Sequence, residues 1–538
     1  ILALVAALGG PAELGAVLDI ATAKDAPAGR QAVLLDALAG AARQRQVRPA
    51  GDLARLGKVL SSDSEEVQAA ALRLVGLWKL EALRPQVTEA ARAESTPESV
   101  RLAALEGLAL LGGPASRETL EQLTDDKRPL EVRRVAVAAL ASLDAKAAAP
   151  RAVDVLAAHP AGADPSNLFA AFLRQKNGIA ALTAALEGKK LPADVAKLGV
   201  RAVRATGRDA PALLDALAKA GNLTTGARKL TEEEMRQLVA DVAKHGDPAR
   251  GETVFRRKDQ VCLKCHAIGG AGGQVGPDLS SIGASAPVDY LIDSLLDPNK
   301  AVKEGYHSVL VATKDGKVHT GIVVRQTAGE LVLRDAEDRE VPIPTRMIEA
   351  KENGRSLMPD GLTDPLTRAE LIDLVRFLSE LGKVGPYAVG KARVVRRWQA
   401  LEPTPAAYRV LHDRGSVGAA AGDPALIWSP AYSTVAGTLP LDAVPIINRQ
   451  ERKVSFVRCQ LDVSTAGKVK LLLNSAAGVT AWLDGAPIEA KAEMVLDLPA
   501  GLRTLTFAVE PGKRKEALRL ELDDVPGSPA RARVVGGK

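Results

Sequence analysis

Three stretches near the start of the chain place small and apolar side chains at helical spacing behind a Pro, Ser or acidic opening and a valine. They are SEEVQAAALRLVGLWKL (64–80), PESVRLAALEGLALLG (97–112) and PLEVRRVAVAALASLD (129–144). Their valines, Val67, Val100 and Val132, are 33 and 32 residues apart (100 − 67 and 132 − 100). A fainter copy, PADVAKLGVRAVRATG (192–207), puts Val195 a further 63 residues on (195 − 132), close to two steps. A helical period inside blocks that themselves recur predicts stacked helix pairs, each covering its apolar stripe with its neighbour. Beyond 385 the period becomes two. VSFVRCQLDV (454–463), KVKLLLN (468–474), VTAWLDG (479–485), LRTLTFAVE (502–510) and ALRLELDD (517–524) alternate, with turn residues between them. That pattern predicts an antiparallel sandwich, with Leu518, Leu520 and Leu522 facing in.

The middle of the chain mixes both periods. TEEEMRQLVADVAKHG (231–246) predicts a connector helix, with Thr231 and Glu234 as a capping box. PARGETVFRRKDQV (248–261), YLIDSLLDPNKAV (290–302) and TRAELIDLVRFLSELG (367–382) read as helices. HSVLVATK (307–314), the turn Asp315-Gly316 and KVHTGIVVR (317–325) read as a hairpin, with ELVLRD (330–335) and REVPIP (339–344) as two more strands. The expected organisation is therefore multidomain. Helical repeats occupy 1–222 and the connector helix 223–245. A mostly α domain follows at 246–385, with a β insert at about 306–350, and an all-β sandwich or jelly roll fills 386–538. The repeats resemble HEAT-type repeats and serve either as a docking surface or as a spacer. Trp78 and Met235 fall on apolar faces and read as packing residues. His159, before Pro160, reads as solvated.

Composition narrows the function classes. The chain is 46% hydrophobic and 25% charged, with a net charge of +6. Without a basic run interleaved with aromatics, nothing argues for nucleic acid. No apolar run reaches the ~18 residues of a membrane span. The opening Ile-Leu-Ala-Leu-Val-Ala-Ala-Leu has no basic flank and reads as a helix cut within a domain, not as a signal peptide. Three cysteines cannot make a disulfide framework.

Two of those cysteines stand together in VCLKCHAIGG (261–270), where Cys262, Cys265 and His266 form C-x-x-C-H. Zinc would need a second ligand pair, and Cys459 is almost 200 residues away. A thioredoxin-like dithiol would open a helix within a βαβ unit, which the pattern lacks. Covalent haem explains every position: two thiols for the two porphyrin vinyl groups, and an adjoining imidazole for the iron.

The flanks carry a resemblance. Gly251 and Phe255 share one side of the helix before the motif, Gly276-Pro277-Asp278-Leu279 follows it, and SLMPDGL (356–362) precedes a last amphipathic helix containing Phe377. The segment resembles a class I c-type cytochrome domain. More closely, it is similar to the haem-binding domain of planctomycete and verrucomicrobial multidomain proteins, where HEAT-like repeats come first and a strand insert precedes the methionine. The resemblance implies one covalent haem c on Cys262 and Cys265, with His266 as proximal ligand. It also implies that the Pro277 carbonyl orients His266, that Met358 is the distal ligand, and that the first and last helices cross at Gly251, Phe255 and Phe377. Met358 lies 92 residues beyond His266 (358 − 266), so Met347, His307 and His319 compete with it for that place.

The expected function is electron transfer through haem with His/Met ligation, rather than catalysis by these residues. By resemblance, the electron source is a dehydrogenase domain upstream or in a redox partner, and the compartment is periplasmic or otherwise extracytoplasmic. The rivals are a haem enzyme or sensor with an open sixth site, and a glycan-binding scaffold. AWLDGAPI and DLPAGLRTLTFAVE look like jelly-roll modules of carbohydrate-active proteins, which makes Trp482 a candidate sugar platform or a core residue. Cys459 reads as a buried free thiol, and His412 as lying in an irregular stretch.

Overall fold

In the computed structural model, residues 2–160, 162–414, 422–449 and 452–537 are described. The chain divides into two compact units, one of residues 1–225 with 364–367, the other of 226–363 with 368–538.

In the first unit the three periodic stretches are the helices Glu65–Leu77, Glu98–Leu111 and Leu130–Leu143, and the faint copy is Ala193–Ala205. Each is followed by a second helix: Arg84–Arg92, Gly113–Leu123, Ala145–Ala157 and Pro211–Ala220. The shared openings are start signals. Pro97, Pro129 and Pro192 occupy the cap positions in extended backbone, and the Ser64 side chain accepts from the Val67 amide. Small residues set the stacking distance. A Cβ on Gly76 would lie 2.7 Å from the Gly107 carbonyl oxygen, and one on Gly107 would lie 2.7 Å from that of Leu72. The double-length step before Val195 holds one more pair, Ser166–Leu173 and Gly178–Leu186. There Phe169 and Phe172 fill the core, so the repeat is present in structure while its small-residue signature is lost. His159, just past the end of Ala145–Ala157, is buried, 7% exposed, not solvated as expected.

The second unit begins with the expected capping box. Thr231 Oγ1 accepts from the Glu234 amide (3.2 Å), and Glu234 Oε2 accepts from the Thr231 amide (2.8 Å). The helix Glu232–His245 packs against the closing helix Arg368–Glu380. The leading helix, Pro248–Arg256, ends well before 261, because Arg257 turns extended. Likewise Val288–Leu296 stops at Asp297, ahead of Pro298, not at 302. Leading and closing helices cross at Gly251, where a Cβ would lie 1.9 Å from the Asp373 carbonyl oxygen. The Phe255 and Phe377 rings meet beside it at 5.6 Å between centroids. The Asp373 carboxylate locks the crossing by accepting from the Asp247 amide (2.8 Å) and from Arg250 Nε (2.7 Å) and Nη2 (2.9 Å).

The insert is a five-stranded antiparallel sheet rather than four strands. In spatial order its strands are Glu340–Pro344, Glu330–Arg334, Val318–Gln326, His307–Thr313 and Ile348–Ser356. The unexpected fifth strand carries the insert to Ser356, which pairs directly with His307. Val309, Val311, Leu331, Leu333 and Ile343 form its small core.

The C-terminal region is two packed antiparallel sheets. The larger runs through Trp428–Tyr432, Arg397–Leu401, Arg452–Thr465, Gly501–Val509, Val479–Leu483 and Ala486–Ile488, with Ile447–Arg449 and Arg531–Val534 also pairing with Arg452–Thr465. The smaller holds Glu493–Leu498, Gly467–Leu473, Leu520–Asp524 and Arg393–Val394. Leu518, Leu520, Leu522, Trp398 and Cys459 are buried between them. His412 lies on the helix Pro405–Arg414, not in an irregular stretch. Among the described residues no helix is long and apolar enough to cross a membrane.

Candidate cofactor site

The C-x-x-C-H motif starts with a strained residue. Val261 has φ +50°, a left-handed conformation that β-branched side chains rarely adopt. It caps a single helical turn, Cys262–Cys265, closed by bonds from the Lys264 amide to the Val261 carbonyl and from the His266 amide to that of Cys262, both 2.9 Å. Side chains three apart on a helix share a face, so both thiols point the same way. Neither is in a disulfide. His266 then leaves the helix in extended backbone and begins the small hairpin Ala267–Ile268 with Ala271–Gly272.

The His266 ring is fixed from behind. Its Nδ1–H donates to the Pro277 carbonyl at 2.9 Å. A carbonyl can only accept, so Nδ1 carries the proton and Nε2 keeps its lone pair. The Gly276 backbone presses on the ring: a Cβ there would lie 2.5 Å from Cε1. Burial pushes the imidazole below its ordinary pKa, partly offset by the Pro277 carbonyl, so it is held neutral. Burial pushes the Cys262 thiol up to about 12.

A cavity of about 320 Å³ opens in front of these groups, within the range of small-molecule and cofactor sites. Cys262, Cys265, His266 and Pro277 line it from the motif segment, and Met358 and Pro359 from the far segment. The walls between are apolar: Phe255 from the leading helix, Leu291 and Leu295 from Val288–Leu296, and Leu374 and Leu378 from the closing helix. Met347, His307 and His319 do not line it. Met347 ends a tight turn in the insert, and the two histidines lie on its strands.

Asn299 holds the Met358 loop, and sequence reasoning missed it. Its Oδ1 accepts from the Ser356 amide (3.0 Å) and its Nδ2 donates to Asp360 Oδ1 (3.2 Å), while Ser356 Oγ accepts from the Met358 amide (3.2 Å). A residue almost 60 positions away carries no local signal for such a role. Among the described residues no cluster of three or more His, Cys, Asp or Glu could hold a metal ion, so an iron here would depend on a prosthetic group for its other ligands.

Comparison with known proteins bears on the first unit alone. Residues 53–161 match the HEAT repeats family. The matched stretch takes in the helices from Leu53 to Ala157; the later pairs up to Pro211–Ala220, and Cys262, lie beyond it. No curated protein is similar enough to the chain to count as a relative.

Trp482 is 8% exposed and packs among Leu401, Phe456 and Ala508. A sugar-stacking platform needs an open ring face, which this burial does not leave.

Proposed function

We propose that the second unit carries one covalently attached haem c and passes electrons. Cys262 and Cys265 form the thioether links, His266 serves as the proximal ligand and Met358 as the distal one. The observation that carries the reading is convergence. Two thiols on one face of a helical turn, a neutral imidazole with its far nitrogen available, and a thioether from 92 residues on (358 − 266) all line one apolar cavity. The residue types fit the group: two thiols for the vinyl carbons, and a nitrogen–sulfur pair for the iron. Bound there, haem supplies a one-electron couple.

The chain's own residues supply the rest. Pro277 orients His266 and fixes its tautomer, a bond that tunes ligand strength. The apolar walls exclude water and favour the less charged, reduced state. A soft methionine donor acts in the same direction. We place the protein in an extracytoplasmic compartment and infer a dehydrogenase domain or redox partner as electron source, with the HEAT repeats as the surface that brings it close.

Production of the full chain in a host that attaches haem tests this. The expected product is a coloured protein whose chromophore stays with the polypeptide under denaturing conditions and is lost in Cys262→Ala/Cys265→Ala. Its ferric spectrum shows the weak sulfur-to-iron band, absent in Met358→Ala. A full chain that matures without covalent chromophore refutes the haem, and rapid CO binding by the reduced wild type favours the open-site rival.

A further inference from the structure

The run GGAGGQVG (269–276) is denser in glycine than a turn requires. Its glycines fall into two sets. Gly272, Gly273 and Gly276 face the motif: Cβ atoms there would lie 2.2 Å from the His266 carbonyl oxygen, 1.9 Å from that of Lys264 and 2.5 Å from the His266 ring. Gly269 and Gly270 face the β-sandwich. A Cβ on Gly269, at φ +61°, would lie 2.8 Å from Cδ of Arg396. Gly270 accepts from the Gly537 amide (2.8 Å), the Gly537 carbonyl accepts from the Gly272 amide (3.0 Å), and Ala271 bridges to Gly537 in parallel. Gly536 is matched to this contact, since a Cβ there would lie 2.7 Å from the Gly270 carbonyl oxygen. Val535, just before it, is tied by its amide to the Gln460 carbonyl (3.0 Å), inside the larger sheet.

A second seam lies on the leading helix. Glu252 Oε1 accepts from the Val435 amide (2.7 Å), and Arg256 Nη1 donates to the Ser433 carbonyl (2.7 Å). Arg396 Nη1 donates to the Thr434 (3.1 Å) and Val435 (2.7 Å) carbonyls, shaping the loop that meets Glu252. Glu252 and Arg256 are both mostly covered here. Ions are taken out of water at a cost, so a loosely tethered module would not be expected to bury them.

We infer that the β-sandwich is a positioning scaffold for the cofactor site, acting through the glycine loop on His266. The chain of contact is continuous: the segment 535–537 and Arg396 hold Gly269–Gly272, and the same loop presses on the backbone of Lys264 and His266 and on the imidazole. Such a clasp restricts the ring independently of any group bound in front of it. Gly536 and Arg396 are positioning residues in this scheme, since they touch neither the cavity nor its ligand. The consequence for His266 as a ligand rests on the haem reading, while the mechanical coupling does not.

Hydrogen–deuterium exchange on the full chain without haem separates the two. In Gly536→Val, amides in 262–279 exchange about tenfold faster or more, while those of Gly467–Leu473 in the sandwich keep their wild-type rates. Gly536→Ala, a smaller intrusion that leaves the sandwich folded, gives the same ordering with a smaller increase. Gly512→Ala, with nothing within 4 Å of its Cβ, is the control and leaves 262–279 unchanged. In the haem-loaded chain, Gly536→Ala also shifts the midpoint potential, which a purely distant stabilising contact would not move. Wild-type exchange across 262–279 in both Gly536 variants overturns the inference even if haem is bound. Faster exchange in a chain that never attaches haem leaves the coupling standing and removes only its ligand.

Discussion

Replacing Gly251 by alanine tests the idea that one close approach organises the second unit. The added Cβ would sit 1.9 Å from the Asp373 carbonyl oxygen, 2.6 Å from its carbon and 2.7 Å from the Phe377 Cβ. An ordinary contact begins near 3.4 Å, so the helices must part by about 1.5 Å (3.4 − 1.9) along that line. All three obstacles are backbone or first side-chain atoms of the closing helix, so no rotamer change relieves them. Parting the helices weakens the Phe255–Phe377 contact and stretches the bonds that Asp373 accepts from Asp247 and Arg250. Overpacking of this kind costs about 1–3 kcal/mol, and the strained carboxylate cluster places the expected loss at about 3 kcal/mol. Intrinsic preference acts the other way, because alanine is favoured over glycine in a helix by about 1 kcal/mol. Gly40, within Ala28–Arg45 and with nothing within 4 Å of its Cβ, isolates that preference. Calorimetry, which resolves two units if they unfold separately, should show Gly40→Ala raising the transition of the first unit. Gly251→Ala should lower that of the second by several degrees. Equal small gains in both variants would refute the crossing as described.

Three further outcomes follow from the same geometry. Asp373→Asn leaves the Arg250 guanidinium and the Asp247 amide without the charged acceptor, and should cost roughly 2–3 kcal/mol in denaturant unfolding, with little added by Arg250→Ala on top. Burial first, and the nearby Arg134 charge second, push His159 below its ordinary pKa. The folded state therefore binds fewer protons, so this contribution is present above about pH 6.5 and is lost as the pH falls through the lowered folded value. His159→Gln should flatten the stability of the first unit between neutral and mildly acid pH. Burial pushes the Cys459 thiol far up, so a disulfide reagent should modify it only at the rate of sandwich unfolding, and fast labelling in native buffer would contradict its placement.

What could be read from the residues, and what could not, divides by the range of the forces involved. Val67 and Val100 mark their helices because helical period and start signals are local, and Thr231 with Glu234 reads as a cap for the same reason. The alternation around Cys459 identifies a strand because one face meets a core. Ile348–Ser356 escaped notice since most of its residues are exposed, and a strand paired along one edge with both faces wet has no period to show. The pair holding Phe169 and Phe172 was invisible because large rings replaced the small residues that define its neighbours. The helix end at Asp297 is written in Pro298, whose ring forbids continuation, whereas the one at Arg257 has no proline or glycine to announce it. Cys262, Cys265, His266, Pro277 and Met358 could be named from spacing and resemblance, and the structure gathers all five on one cavity. Asn299 and the contacts of Gly269–Gly272 with the sandwich could not be named, because both depend on partners far along the chain.

The pairing of His307 with Ser356 has a topological meaning. The strands that leave and rejoin the cavity walls are adjacent, with Cα atoms about 5 Å apart as in any antiparallel ladder. The five-stranded insert is thus a branch on a two-stranded stem with its own small core, touching the cavity only at the near end, where Ala336 lines it and Asp338 and Arg334 bond to Gln274. Loops at its far end, such as Asp315-Gly316, can lengthen, shorten or acquire new surface chemistry without dragging Met358 away from its wall. That freedom would let a lineage redesign what this outgrowth touches while the interior it springs from stays constant.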